Sequence, residues 1–251
     1  MGTRVYSKTL TIQYDDVKSF YNKRAKEFSS GILPKYTCTL LNDTDSHYAE
    51  KWHDFEVSTI KPYLNYGKIL DIGCGIGRWA DVLANECISY CGIDFSEAMI
   101  EAAKQRFSQE NISFFQYSFQ DIPQLTSIES PSSPPLIKGF DTIIIAGVSM
   151  YVNDDDLKRT YRYLYEILNK NGVIYLEESV GVEKRLTLKQ HFSESLKNNY
   201  SVISRTKEEY LTLLKDLTDK MILVKESYLS ELDKPTFRDT SHWFLLLKKP
   251  N

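Results

Sequence analysis

The sequence is poor in cysteine, histidine and proline, and it has no long apolar run. It has 4 Cys, 4 His and 8 Pro among 251 residues. Cys38, Cys74, Cys87 and Cys91 lack the paired spacing of a zinc site or a disulfide framework, so we expect free thiols and no bound metal. No apolar stretch reaches the ~18 residues of a membrane span, and no signal-peptide pattern is present. We therefore predict a soluble, cytoplasmic chain without a membrane partner.

An excess of one charge sign is also lacking. The 31 Lys and Arg residues nearly balance the 34 Asp and Glu residues, which gives a net charge of −3. Such a chain has no global field that would attract nucleic acid, and we expect no nucleic-acid partner. Its 42% hydrophobic and 26% charged residues are typical of one globular α/β domain with an elaboration.

The most informative stretch joins a short apolar run to a series of glycines. Residues 68–72 read as a buried strand with Asp71 near its end, and Gly73, Gly75 and Gly77 follow at every second position. Glycines at this spacing allow a tight turn and let a ligand lie against bare peptide groups, with the N-terminus of the next helix facing it. The stretch therefore predicts a nucleotide-binding turn in an open parallel sheet.

The acidic residues indicate which nucleotide this turn would bind. A dinucleotide fingerprint has the order G-x-G-x-x-G, whereas here Asp71 precedes the first glycine and would repel a pyrophosphate. Asp94 ends a second apolar run and could accept hydrogen bonds from both hydroxyls of a ribose. A ligand with a ribose, a cationic amino-acid end and no phosphate is S-adenosylmethionine. The alternatives are a purely structural strand–helix turn and a nicotinamide-dependent enzyme.

Two motifs resemble those of the class I S-adenosylmethionine-dependent methyltransferases: the glycine-rich turn at residues 71–77 and the acidic segment at residues 92–96. The resemblance implies an α/β fold with a Rossmann-like, seven-stranded, mostly parallel sheet, helices on both faces and a terminal antiparallel hairpin. It also implies an N-terminal helical lid (residues 1–64) over a cofactor-binding core (residues 65–251). Within this core, residues 181–205 would form a cap on the substrate side.

The resemblance further implies which residues contact the cofactor S-adenosylmethionine. Family members usually carry an acid after the third strand, where this sequence has Ser118 and Phe119, with Asp121 three residues later. Either Ser118 or the backbone reads the adenine edge while Phe119 stacks on the ring, or Asp121 reaches back. The predicted cofactor-binding residues are Tyr14, Tyr21, Asp71, Gly73, Cys74, Gly75, Asp94, Phe95, Met99, Ser118, Phe119 and Ala146.

Candidate catalytic residues follow from the chemistry of methyl transfer. The reaction needs an acceptor atom held in line with the methyl carbon and shielded from water, and an oxygen acceptor also needs a base. The candidates are Glu178 (or Glu177), His191 and Tyr151. Alternation along a strand points Glu177 and Glu178 to opposite faces, so we expect only one of them to face the cleft. Arg185 could hold a phosphate or carboxylate of the acceptor.

A narrower resemblance concerns the methyl acceptor. Residues 20–25, 35–37, 73–79 and 182–187 are similar to small-molecule methyltransferases of bacterial sugar or capsule biosynthesis. This implies a small-molecule partner that accepts the methyl group on a hydroxyl oxygen of a sugar-like or phosphorylated metabolite. The alternatives are a small-molecule N-methyltransferase and a catalytically silent cofactor-binding partner subunit. A homodimer is compatible with either.

Overall fold

The fold was analysed from a computed structural model, which describes residues 2–41, 45–127, 139–229 and 239–251. Residues 124–139, whose Ser- and Pro-rich composition predicts a surface loop, lie largely outside this description. The strands are β1 (Thr3–Tyr6), β2 (Lys68–Ile72), β3 (Ser89–Asp94), β4 (Ile112–Gln116), β5 (Phe140–Ala146), β6 (Leu168–Gly181), β7 (Leu186–Ser193), β8 (Asn198–Ser204), β9 (Ile222–Tyr228) and β10 (Thr240–Lys248). The helices are α1 (Tyr14–Ser29), α2 (Lys35–Leu40), α3 (Ser46–Ile60), α4 (Ala80–Leu83), α5 (Glu97–Arg106), α6 (Asp154–Ile167), α7 (Lys207–Leu213) and α8 (Lys215–Thr218).

The central sheet confirms the predicted architecture. Its seven strands follow the order β4-β3-β2-β5-β6-β10-β9. Strands β2 to β6 are parallel, and β10 is antiparallel to both β6 and β9. The apolar run of β5 lies at the centre, where Ile143, Ile144 and Ile145 are fully buried. Such a run can be buried on both faces because helices cover both sides of a parallel sheet.

Helices cover each face of this sheet and form two apolar clusters. On one face, Leu157, Tyr161 and Leu164 of α6 pack with residues of α7, α8 and the sheet. On the other face, Trp52 and Ile60 of α3 pack with residues of α5 and with the opposite side of the same strands. The cofactor-type turn after β2 lies at the carboxyl edge of the sheet, which is where ligands bind in open α/β folds.

A second, three-stranded sheet was not predicted. Its order is β1-β7-β8, with both pairings antiparallel. Residues 181–205, expected to form a cap, are mainly this β7–β8 hairpin, and β1 joins it from the start of the segment expected to be a helical lid. The hairpin could not be predicted from its polar sequence because its strands are stabilised by packing against α1 and the segment after β5.

One predicted helix is longer than the observed one. The composition of residues 78–86 predicts the first crossover helix, but α4 spans only four residues and the chain continues in a tighter turn, in which Glu86 N donates to Leu83 O at 3.0 Å. The sequence also predicts a helix over residues 157–168 with a polar stop that leads to Gly172. The helix α6 ends at Ile167, close to that prediction, and β6 begins directly at Leu168. In the described residues, no helix is long and apolar enough to cross a membrane.

Candidate cofactor and methyl-transfer site

The turn after β2 has the backbone geometry that its glycines predict. Gly73 adopts φ +72° and Gly75 adopts φ +54°, which are left-handed conformations that side chains disfavour. The N–H groups of Gly73 and Cys74 donate to Ile93 O at 2.7 and 3.0 Å, which ties the turn to the end of β3. A Cβ atom on Gly73 would lie 2.3 Å from Cγ2 of Val148. The turn is therefore packed against the segment after β5.

Asp94 ends β3 beside this turn. Its Oδ2 accepts a hydrogen bond from Gly75 N at 3.1 Å, and its Oδ1 accepts one from Ser96 N at 2.8 Å. The side chain lines a cavity that the glycine turn also lines. Burial raises the pKa of this carboxyl group to about 6, so it is mainly ionised at neutral pH. An ionised carboxylate fixed by two backbone groups suits the hydroxyls of a ribose.

Asp71 is the second acid of the cavity. Its Oδ2 accepts a hydrogen bond from the phenol of Tyr90, and its residue exposure is only 2%. Burial raises the pKa of Asp71 to about 7, although the Tyr90 hydrogen bond opposes this shift. A buried carboxyl group with this pKa is readily ionised by a cation placed next to it.

The cavity brings together nearly all the residues predicted for the cofactor. Ser118 is the exception, and Phe119 lines the wall instead. The role of these residues as cofactor contacts remains a prediction. Those that line the cavity are Tyr14, Tyr21, Asp71, Gly73, Cys74, Gly75, Asp94, Phe95, Met99, Phe119 and Ala146.

Tyrosine side chains connect the α1 helix to the core at one end of the cavity. Tyr21 Oη donates to Tyr151 Oη at 2.8 Å, and the hydroxyls of Tyr151 and Tyr200 are 2.5 Å apart. Tyr14 Oη donates to Asp156 Oδ2 at 2.5 Å. Burial raises the pKa of Tyr151 well above its ordinary value, so its phenol is a hydrogen-bond donor rather than a base. These contacts place α1 directly on the segment after β5.

Three further candidates lie outside the cavity wall. The carboxylate of Glu178 is fully buried on the opposite sheet face. Arg185 forms two 2.9 Å hydrogen bonds to the Asp154 carboxylate. His191 lies on β7, paired with Tyr200. The proposed roles of these residues in acceptor binding and catalysis therefore gain no support from their positions.

Several polar residues of the cavity were missed at the sequence level. Arg78 follows the third glycine, and its guanidinium contacts the Glu56 carboxylate and lies 3.0 Å from His53 Nδ1. Burial lowers the pKa of His53 to about 3, so this neutral ring accepts the hydrogen bond from Arg78. The indole Nε1 of Trp79 is buried without a hydrogen-bond partner. The only available signal for Arg78 was its position in the motif, because its partners come from α3.

His242 was also missed, whereas its neighbour Glu177 was named as the alternative to Glu178. Glu177 Oε1 and His242 Nδ1 are 2.7 Å apart, and both residues line the cavity. The indole of Trp52 lies against the imidazole, with ring centroids 4.3 Å apart. Alternation correctly predicted that one of the two consecutive glutamates faces the cleft. In the structure, Glu177 is the one that does.

Residues 70–174 match the family model described as "Methyltransferase domain". A putative methyltransferase of Geobacillus sp. (strain WCH70) is 30% identical over 132 residues, which cover 51% of this chain and 49% of the relative. A malonyl-[acyl-carrier protein] O-methyltransferase of Paenibacillus sp. (strain JDR-2) is 28% identical over 129 residues, covering 51% of this chain and 44% of that protein. The match thus spans about half the length of these relatives or less.

The fold is also shared with solved structures. A Haemonchus contortus phosphoethanolamine N-methyltransferase 1, solved in complex with phosphoethanolamine and S-adenosylhomocysteine, aligns with a TM-score of 0.66 and 20% identity. The alignment covers 95% of this chain and 49% of that chain. The sequence match, the strand order and the glycine turn agree with one another. Residues 70–174 are therefore similar in sequence to a methyltransferase domain, and the fold is shared with solved methyltransferases.

Proposed function

We propose that this protein transfers a methyl group from S-adenosylmethionine to a small-molecule acceptor. The observation that carries the proposal is the pair of buried acids, Asp71 and Asp94, on either side of a glycine turn that opens into one cavity. The two acids can carry negative charge next to the ligand, and the turn lacks the G-x-G-x-x-G order that binds a pyrophosphate. A cationic nucleoside without phosphate fits both features. The cavity also favours an enzyme over a catalytically silent partner subunit.

The residues of the site fit the parts of this cofactor. Asp94 would accept hydrogen bonds from the ribose hydroxyls, and Asp71 would face the ammonium group. Gly73 and Gly75 allow the turn to pack closely at the cavity wall, because side chains there would meet Val148 and Thr39. The partnerless Nε1 of Trp79 is a buried donor in the wall and could serve the carboxylate group. When bound, the sulfonium supplies an electrophilic methyl carbon, and the protein positions the acceptor and excludes water.

The proposed acceptor is a hydroxyl oxygen of a sugar-like or phosphorylated metabolite. Its support is the resemblance to small-molecule methyltransferases together with the named relative that methylates oxygen. Methyl transfer to nitrogen is the second candidate. It is favoured by the Glu177 carboxylate in the cavity wall, which could pair with an ammonium group, and by the structural neighbour that acts on phosphoethanolamine.

The proposal is tested by calorimetry with S-adenosylhomocysteine on the wild-type protein and on Asp94→Ala. Loss of the hydrogen bonds from the ribose to a charged acceptor should weaken binding by about 2–3 kcal/mol, or ~30- to 150-fold. Asp54→Ala is the matched control, because Asp54 is an exposed acid on α3. We expect this control to bind like the wild type.

Two results would contradict the proposal. The first is wild-type protein that binds neither S-adenosylmethionine nor S-adenosylhomocysteine. The second is Asp94→Ala that binds with unchanged affinity, since the nucleoside would then lie elsewhere. A parallel fluorescence titration with NADH tests the alternative of a nicotinamide-dependent enzyme. We expect that NADH does not bind.

A further inference from the structure

The short segment that follows β4 forms one part of the cavity wall. Its members Tyr117, Phe119 and Gln120 line the cavity. Ser118 and Asp121, the two side chains considered for the adenine edge, lie outside this wall. This part of the wall therefore has a residue with a neutral amide where the resemblance implies an acid.

The same segment adjoins the acid proposed to bind the ribose. The backbone N–H of Tyr117 donates to Asp94 O at 2.9 Å, and Gln116 Nε2 donates to Phe95 O at 3.3 Å. In a nucleoside the base is bonded directly to the ribose. The base of a nucleoside whose ribose is held by Asp94 would therefore border the segment after β4.

Contacts with α6 hold the backbone that carries Gln120. Thr160 Oγ1 donates to Phe119 O at 3.2 Å, and Arg159 Nη2 donates to Gln120 O at 3.2 Å. The ring of Phe119 is buried and meets the ring of Tyr161 edge-on, with ring centroids 5.7 Å apart. The backbone of Gln120 is therefore fixed relative to the cavity by a neighbouring helix.

The side-chain amide of Gln120, in contrast, is not committed to a protein partner. Within the described residues, this amide forms no hydrogen bond, although the backbone carbonyl of the same residue does. The amide of Gln116 on β4 differs, because it donates to Phe95 O. A glutamine amide carries an acceptor oxygen and a donor nitrogen side by side. Since no hydrogen bond among these residues fixes its orientation, the Gln120 amide can present either order of the two atoms to a ligand.

The two orders match the edges of two kinds of purine. Adenine has an amino donor at position 6 and an acceptor at N1, so a glutamine amide can accept from the first and donate to the second. Hypoxanthine has the reverse pattern, with an acceptor oxygen at position 6 and a donor at N1. The same amide pairs with it after a half-turn about its last bond. An ionised carboxylate only accepts hydrogen bonds, so it would favour adenine and repel the oxygen of hypoxanthine.

We propose that Gln120 reads the purine edge of the cofactor, and that the site consequently binds a 6-oxopurine nucleoside about as well as a 6-aminopurine nucleoside. This rests on the methyltransferase function proposed above. Gln120 is a specificity-determining residue in this role, because it contacts the base and takes no part in the methyl transfer. The relaxed selectivity follows from the neutral amide, since an acid in its place would select adenine.

The experiment measures the affinities of S-adenosylhomocysteine and S-inosylhomocysteine by calorimetry, because these ligands differ only at the purine edge. The wild type should bind them within ~3-fold of each other, since the amide forms two hydrogen bonds with either base. Gln120→Glu should prefer S-adenosylhomocysteine by roughly 10- to 100-fold, because its carboxylate faces the oxygen of the 6-oxopurine. Gln105→Glu adds the same charge at an exposed position of α5 outside the cavity. This matched control should keep the wild-type ratio.

A second variant tests whether the amide contacts the base. Gln120→Ala should weaken the binding of both ligands by about 5- to 50-fold, because each complex loses two hydrogen bonds. The ratio of the two affinities should stay near that of the wild type. Gln120 is only partly buried, so we expect both variants to keep the wild-type melting temperature.

Three results would overturn the inference. One is a wild-type preference for S-adenosylhomocysteine above ~10-fold, which would assign the purine edge to backbone groups. Another is wild-type affinity of Gln120→Ala for both ligands, and the third is an unchanged affinity ratio in Gln120→Glu. In all three cases S-adenosylhomocysteine still binds to the wild type, so the proposed function stands. Failure of the wild type to bind either ligand is a distinct result, because it removes the proposed function and the inference together.

Discussion

At the scale of single residues, Glu178 shows how a carboxylate at a sheet edge can be structural. Its two oxygens accept hydrogen bonds from the backbone N–H groups of Val148, Ser149 and Met150, at 3.3, 2.7 and 3.0 Å. These groups begin the 3₁₀ turn that follows β5 and lines the cavity. Burial raises the pKa of Glu178 to about 8. The residue therefore holds the segment that carries Tyr151.

Replacing Glu178 by alanine should destabilise the fold. Three backbone donors would lose their acceptor in a buried site, and each unsatisfied group costs roughly 1–3 kcal/mol. Allowing for water entry into the new space, we expect a loss of about 2–4 kcal/mol in the free energy of unfolding, measured by urea titration. Glu178→Gln should lose less, because its amide oxygen still accepts.

The control for this change is Glu183→Ala, which removes an exposed acid from the turn between β6 and β7. It should change the free energy of unfolding by less than ~0.5 kcal/mol. An equally small effect of Glu178→Ala would contradict the structural role and return this residue to the list of catalytic candidates.

The residues of the glycine turn were predictable, whereas the pairing of Glu177 with His242 was not. Asp71 and Asp94 have a local signature, since each ends an apolar run at a fixed distance from the glycines. His242 lies 65 residues from Glu177 in the chain and meets it only through the pairing of β6 with β10. No spacing rule reports such a contact. The sequence therefore could not predict that His242 lies beside Glu177 in the cavity wall.

At the scale of secondary-structure elements, α2 depends on tertiary contacts. This six-residue helix was not predicted, because its short sequence has no periodic apolar pattern. Its last carbonyl groups are bonded by Arg24 of α1, with Nη2 2.5 Å from Thr37 O and Nε 3.0 Å from Cys38 O. Its Thr39 packs on the glycine turn, where a Cβ atom on Gly75 would lie 2.8 Å from the Thr39 Cγ2.

Gly75→Ala should reveal this contact in a double-mutant cycle. The left-handed backbone at Gly75 costs an alanine about 1–2 kcal/mol, and the clash with Thr39 adds roughly 1–3 kcal/mol. Thr39→Ser removes the clashing methyl group, so the double variant should recover the second contribution and retain the first. The free energies of unfolding of the four proteins give the coupling. Strictly additive values would contradict the proposed packing of α2 on the turn.

The small β1-β7-β8 sheet marks the limit of prediction at this scale. The parallel core was predictable because its strands are apolar runs that alternate with helical segments. Strand β7 instead has partly buried, polar residues, and its partner β1 comes from the opposite end of the sequence. Burial that arises only from such distant pairing leaves no local pattern. The sequence therefore predicted a cap at residues 181–205 but not its structure.

At the scale of the whole molecule, the candidate site places acidic groups in the protein interior. Burial raises the pKa of Asp71 to about 7, of Asp94 to about 6 and of Glu178 to about 8, from ordinary values of 3.8 for the aspartates and 4.5 for the glutamate. The folded chain therefore binds more protons than the unfolded chain between these values. It follows that ionising these groups destabilises the cofactor-free fold.

The free energy of unfolding should accordingly fall as the pH rises from 6.5 to 8.5. In this window Asp71 and Glu178 lose their protons in the folded state, while the unfolded carboxyl groups are already ionised, so each contributes at most about 1.4 kcal/mol per pH unit. The pKa of His53 is lowered to about 3, whereas the ordinary value of a histidine is near 6.5. This residue therefore changes the free energy of unfolding mainly below about pH 6.5 and does not mask the fall at higher pH. Urea titrations at both pH values measure the fall, which Glu178→Gln should reduce. A stability that rises across this window would contradict the assignment of neutral, buried acids to the cofactor-free protein.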